Sequence, residues 1–123
     1  MERPPAVSVC PNVSVLKKRG EFLRCARGRR AGTPGFHLQG RARSPNEGVT
    51  GIRIGFTCSK KVGNAVARNR AKRRLRALAH DVLQTAGLDG WDYVLVGRAE
   101  VTATLPFAQL ASDLRGAMKK IHG

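Results

Sequence analysis

The chain has 123 residues, with 23 lysines and arginines against 8 aspartates and glutamates, for a formal net charge of +15. The length suits one domain that buries a core without disulfides or a structural metal, and no apolar run is long enough for a secretory signal or a membrane span. So strong a self-repulsion points to a polyanionic partner, with nucleic acid ahead of an anionic membrane surface.

Three cysteines (Cys10, Cys25, Cys58) are an odd number without metal-ligand spacing, which fits a reduced, cytosolic setting and thiols that act as small hydrophobes. Residues 1–14 read as a poorly ordered, Pro-containing extension, leaving residues 15–123 as the domain. From Val15 to Arg27 the sequence predicts a short basic helix that buries Leu16, Phe22, Leu23 and Ala26, with Ser14 at its start and Gly28 at its end. The following GRRAGTPG reads as a loop.

Strict alternation then marks two strands. Phe36, Leu38 and Ala42 oppose His37, Gln39, Arg41 and Arg43, and after the turn SPNEG, Ile52, Ile54, Phe56 and Cys58 oppose Arg53, Gly55, Thr57 and Ser59. A hairpin with one apolar and one polar, basic face is expected.

The stretch KKVGNAVARNRAKRRLR, residues 60–76, holds eight basic residues and no acid. On a helical wheel Ala67, Ala71, Leu75, Leu78 and Val82 form a narrow apolar stripe, and Asn69, Lys72, Arg73 and Arg76 lie roughly opposite. Arg68, Lys72 and Arg76 repel one another at i,i+4 spacings, a cost that a polyanion relieves and a neutral partner does not. Near Gly63 the helix offers its positive end.

WDYVLVGRA, nearly all apolar, reads as a strand buried on both faces, and its place after a helix predicts a β-α-β unit with parallel pairing. The last segment is a helix: Thr104 caps it, Pro106 fits the first turn, and Phe107, Leu110, Ala111, Leu114, Ala117, Met118 and Ile121 trace its stripe. The order is α-β-β-α-β-α, an α+β or α/β sandwich.

Catalysis by the chain's own side chains has little support, because the acids are scattered and no Ser or Cys stands beside a base. Asp89 and Asp92 read as solvated turn residues. His37 either meets a base or is merely exposed, and His80 and His122 carry no function. The polar strand face with His37, Gln39, Arg41, Arg43, Arg53 and Thr57 suits an extended single strand of RNA.

The run FTCSKKVGNAVARNRAKRRLR resembles the signature of the bacterial ribonuclease P protein subunit family, through Ser59-Lys60-Lys61, Gly63-Asn64-Ala65, Arg68-Asn69-Arg70 and the cations after them. LKKRGEF (residues 16–22), DYVLVGR (residues 92–98) and the final helix are similar too, so the likeness covers roughly residues 15–120. It implies the ribosomal protein S5 domain 2-like fold, with a left-handed β-α-β crossover where generic rules favour a right-handed one. It also implies an accessory, cytoplasmic subunit of a ribonucleoprotein endonuclease that removes the 5′ leader of precursor tRNA.

By that resemblance the chemistry belongs to a catalytic RNA and the Mg²⁺ it holds, with no catalytic residue, metal site, membrane or small-molecule substrate assigned to this chain. Lys60, Lys61, Arg68, Asn69, Arg70, Lys72, Arg73 and Arg76 become contacts to the RNA subunit, and Phe22, His37, Thr57 and Ser59 line a leader cleft. Two departures weaken that cleft: Ala26 and Gln39 stand about where many members carry aromatics. The alternative is a ribosomal or other structural RNA-binding protein without a processing role.

Overall fold

The computed structural model describes residues 13–44, 51–58, 63–98 and 100–122; the readings made for residues 1–12, Cys10 among them, and for Ser59, Lys60 and Lys61 lie outside these. In chain order the elements are β1 (Val13–Val15), α1 (Arg19–Ala26), β2 (Arg29–Gly32), β3 (Phe36–Ala42), β4 (Ile52–Cys58), α2 (Ala65–Ala86), β5 (Trp91–Gly97), α3 (Val101–Thr104) and α4 (Phe107–His122). One mixed sheet runs β1-β4-β5-β3-β2. The main core lies between the sheet and α2 with α4, and a smaller cluster of Leu16, Cys25 and Val94 lies under α1.

β5 sits at the centre, parallel to β4 and antiparallel to β3. The expected β-α-β pairing is therefore present, and the expected β3–β4 hairpin is not. The cause is polarity: a strand apolar on both faces gains most from the middle of the sheet, whereas the alternating strands tolerate flanking positions.

Three further elements escaped the periodicity. β1 takes in Val13 and Ser14, from the stretch read as an extension, and pairs parallel with β4 over three residues. β2, read as loop, pairs antiparallel with β3 through a turn in which Thr33 Oγ1 accepts the Phe36 N–H and donates to its carbonyl. A short helix, α3, precedes the last one and takes in Thr104, whose hydroxyl donates to the Glu100 carbonyl and does not cap α4; at the start of α4 the Pro106 carbonyl accepts the Leu110 N–H. α1 begins later than expected: Lys18 is its N-cap, Arg27 its C-cap, and the Glu21 carboxylate accepts the N–H groups of Lys17 and Lys18.

The register sorts the α1 side of the sheet into rows. Arg53, Asp92 and Arg41 lie side by side across β4, β5 and β3; next come Gly55, Val94 and Gln39, then Thr57, Val96 and His37. The first row corrects the reading of Asp92 as a solvated turn residue. Its side chain is 0% exposed and receives Arg53 Nε and Nη2, both at 2.8 Å, Arg43 Nη1 at 2.5 Å and Arg41 Nη1 at 3.4 Å.

Arg53 also reaches the Glu21 carboxylate at 2.6 Å, which ties α1 to this network. Burial alone would raise the Asp92 carboxyl, but hydrogen bonds from Arg53 and Arg43 outweigh it and hold the pKa below the usual range. At Glu21 burial is likewise outweighed, by the Lys18 and Lys17 N–H groups and by Arg53.

On the other face Tyr93 is fully buried, its hydroxyl accepts the Leu88 N–H and meets His122 Nε2 at 2.8 Å, and burial pushes its pKa up to about 12. His122 also packs edge-on against Trp91, so it closes the core at the end of α4.

Asp92→Asn leaves several half-buried or buried guanidinium groups uncompensated and is expected to cost about 3–5 kcal/mol in denaturant unfolding. Both carboxyls are depressed in the folded state, so their contribution is full above the unfolded carboxylate pKa of about 4 and is lost as pH falls below it. Unfolding measured from pH 7 to pH 2 should show that loss in the wild-type chain and a shallower one in Asp92→Asn.

Candidate nucleic-acid interface

The basic run folds as expected from its two faces. Ala71, Leu75, Leu78 and Val82 are fully buried against the sheet and α4, joined by Ala79 and Leu83. Asn69, Arg70, Arg73 and Arg76 are exposed; Arg68 and Lys72 are half-buried on the helix flank. The 22-residue helix extends roughly 33 Å at 1.5 Å per residue, and the array from Arg68 to Arg76 covers about 12 Å of its N-terminal half.

The Gly63-Asn64 pair starts the helix for physical reasons. Gly63 has φ 140°, and a Cβ there would come within 2.8 Å of the Ala67 side chain, so glycine is required. Asn64 then caps the helix, its side-chain oxygen accepting the Ala67 N–H at 2.9 Å.

One cation of the run faces elsewhere. Arg74 donates to the carbonyls of Thr102 at 3.0 Å and Leu105 at 2.7 Å, which clamps α2 to the α3 corner. Thr102 is itself buried, donating to the Gly35 carbonyl and accepting the Arg98 N–H. At the far side Arg76 stands 5.5 Å from the centre of the Phe56 ring.

A groove of about 570 Å³ opens between α1 and the sheet. Phe22 and Thr57 line it, as expected, together with Ala26 and Gln39 at the two positions marked as departures. Phe22 sits over Gly55, where a Cβ would fall 2.5 Å from its ring, so the bare glycine lets the aromatic lie against the strand. The ring belongs both to the small core and to the groove wall.

His37 is not part of the groove lining. It lies in register beside Val96, at the edge towards β2, half-buried beside Arg98 above Gly32. Burial first, then the charges of Arg98 and Arg30, lowers its pKa, so the ring is neutral near pH 7. The polar strand face also differs from expectation: Arg41, Arg43 and Arg53 neutralise Asp92 and Glu21 and are not an open basic platform.

Leu23, Val94 and Val96 give the groove an apolar wall and floor, with Lys17 and Arg19 at its rim, and none of these was assigned to a cleft from sequence. Alternation along β5 contained the signal, since Val94 and Val96 share a face with Asp92, but an uninterrupted apolar run hides which face is covered. Leu23 was expected in the core and is 48% exposed over the groove.

Burial pushes the Cys25 thiol up to about 12 and raises that of Cys58, so neither is an activated nucleophile. Among the described residues no three His, Cys, Asp or Glu side chains cluster as metal ligands, and no helix is long and apolar enough to cross a membrane.

Comparison with known proteins converges on one family. The chain is 59% identical to the ribonuclease P protein component of Ruegeria pomeroyi, over 97% of this chain and 96% of that one. It is 48% identical to that of Gluconacetobacter diazotrophicus over 85% and 88%. The fold matches the ribonuclease P protein of Thermotoga maritima with a TM-score of 0.71 at 24% identity, covering 88% of this chain and 97% of that one. For the Staphylococcus aureus protein the TM-score is 0.67 at 23% identity, with 89% and 97% covered.

The Ribonuclease P family model matches residues 10–122, which takes in α1, the whole sheet, the basic helix and α4, and with the two close relatives it shows that the chain belongs to the ribonuclease P protein family.

Proposed function

We propose that the chain is the accessory subunit of a cytoplasmic ribonucleoprotein that removes the 5′ leader of precursor tRNA, and that it works by gripping two RNAs. Arg68, Asn69, Arg70, Lys72, Arg73 and Arg76, with Lys60 and Lys61, contact the catalytic RNA. The α1–sheet groove receives the unpaired leader. The proposal includes the ribosomal protein S5 domain 2-like fold with its left-handed β4-α2-β5 crossover.

One observation carries the reading: α2 hides its apolar stripe and leaves Asn69, Arg70, Arg73 and Arg76 exposed, whereas Arg41, Arg43 and Arg53 on the sheet face are engaged with Asp92 and Glu21. Three guanidinium groups of this helix are therefore open to phosphates. Guanidinium groups bind phosphates through paired hydrogen bonds, and counterion release makes that grip salt-dependent. Opposite the helix, the apolar groove floor with Phe22 suits unpaired bases of any identity.

Asp92 and Glu21 are occupied by arginine, which supports leaving Mg²⁺ and the hydrolytic step to the RNA. The chain's own share is to neutralise phosphates and to orient the leader. His37, beside the groove floor, would take part at its edge as a neutral ring, and Ser59, outside the described residues, remains part of the leader assignment.

Added to a cognate catalytic RNA at low Mg²⁺, the protein should restore leader cleavage, and binding should weaken when the leader is removed from the substrate. No gain in activity would refute the proposal; gain-free binding indifferent to the leader would mark a structural RNA-binding protein. Arg70→Ala or Arg73→Ala should weaken assembly with the catalytic RNA and flatten the salt dependence by roughly one unit of slope per lost phosphate contact. Phe22→Ala should spare assembly and lower the preference for leader-bearing substrate by about 1–3 kcal/mol, as read from competition between precursor and mature tRNA.

A further inference from the structure

We infer that a second pocket, on the opposite face of the sheet from the leader groove, takes a single unstacked nucleobase of the RNA that α2 grips. The inference rests on the reading that α2 meets RNA.

Arg76, Ala79, His80 and Leu83 form one stripe of α2 at i, i+3, i+4 and i+7 spacing, and this stripe faces Val13 and Val15 of β1 and Ile54 and Phe56 of β4. Between them is a slot of about 240 Å³. β1 is the edge strand and Val15 is 53% exposed, so the apolar wall stands open to solvent on that side. The volume is below the range of roughly 300–1,000 Å³ typical of whole small-molecule sites, which favours one compact ring system.

The chemistry of the slot selects the occupant. Its floor is apolar, and at its lip the Arg76 guanidinium lies 5.5 Å from the centre of the Phe56 ring. Unpaired bases are recognised by stacking on aromatic faces and guanidinium planes. Among the described residues no carboxylate lines the slot, and Arg73, one turn earlier on α2, is exposed to meet a phosphate. A polynucleotide supplies both parts: a flat ring for the slot and an anion for the cations at its mouth. The rival occupant is the chain's own residues 1–12, which lead into Val13.

The test uses the cognate catalytic RNA with 2-aminopurine at unpaired purines inside the protein's footprint. Two variants of the full chain address the slot: Phe56→Leu keeps apolar volume but removes the ring face of a residue that also borders the α1 groove, and Val15→Trp, at a position that lines the slot and not the groove, fills it from its exposed edge. Thermal unfolding verifies that each is folded. The wild-type protein should quench one labelled position; both variants should restore its fluorescence and weaken binding roughly 10-fold, with the salt slope unchanged because no phosphate contact is lost.

Failure of every position to respond overturns the inference. So does wild-type affinity in both variants while Arg70→Ala still weakens binding, an outcome that leaves the proposed function standing. Variants that unfold more readily yet bind RNA as before would assign the slot to residues 1–12. If Arg70→Ala is also without effect, the inference falls together with the reading of α2.

Discussion

The fold depends on one buried carboxylate. Asp92, in the central strand, is surrounded by Arg41, Arg43 and Arg53 from the strands and loop on either side, and Arg53 passes the connection on to Glu21 of α1. Without it, guanidinium groups on neighbouring strands would repel one another where water is scarce. With it, a helix rich in cations can lie over a sheet rich in cations. The arrangement is costly to desolvate and still more costly to break, so it specifies how α1 docks more than it adds net stability.

That docking determines the shape of the groove. α1 is anchored at the Asp92 row by Glu21, and the groove lies over the Val94 and Val96 rows. The Arg41–Arg53–Asp92 cluster is thus kept to one end of the sheet face, and the groove beside it has an apolar floor walled by Phe22 and Leu23. Small or polar residues at Ala26 and Gln39 widen this space where aromatics would narrow it. The groove therefore offers less stacking surface and more room than one with three rings.

Much of this was legible in the sequence, and the failures share a cause. The basic helix, the terminal helix and the β-α-β unit were all readable because each repeats its pattern over several turns or a full strand. β1 and β2 cover three and four residues, too few for alternation to register, and their pairing is supplied by neighbours distant in the chain. The hairpin between β3 and β4 was a sound inference from local pattern, overridden because β5, apolar on both faces, takes the place between them.

The polar face of the sheet was misread for a related reason. Alternation shows that Arg41, Arg43 and Arg53 share a face, but not that a single aspartate from a later strand lies among them. Asp92 is adjacent to a Gly-containing turn, where a solvated carboxylate is the ordinary outcome. Its burial follows from strand order, which the linear pattern did not reveal. For the same reason His37, on the expected face, stands beside the groove and not in its lining.

Arg74 has a consequence that its neighbours in the run do not share. Successive residues on an α-helix are separated by about 100°, so a turn of α2 by one position would bring Arg73 to the α3 corner and swing Arg74 towards the apolar interior. The two carbonyls of Thr102 and Leu105 thus act as a key that sets the rotational phase of the helix. Within a string of nearly interchangeable cations, one is withdrawn from the surface so that the angular position of all the others is unambiguous.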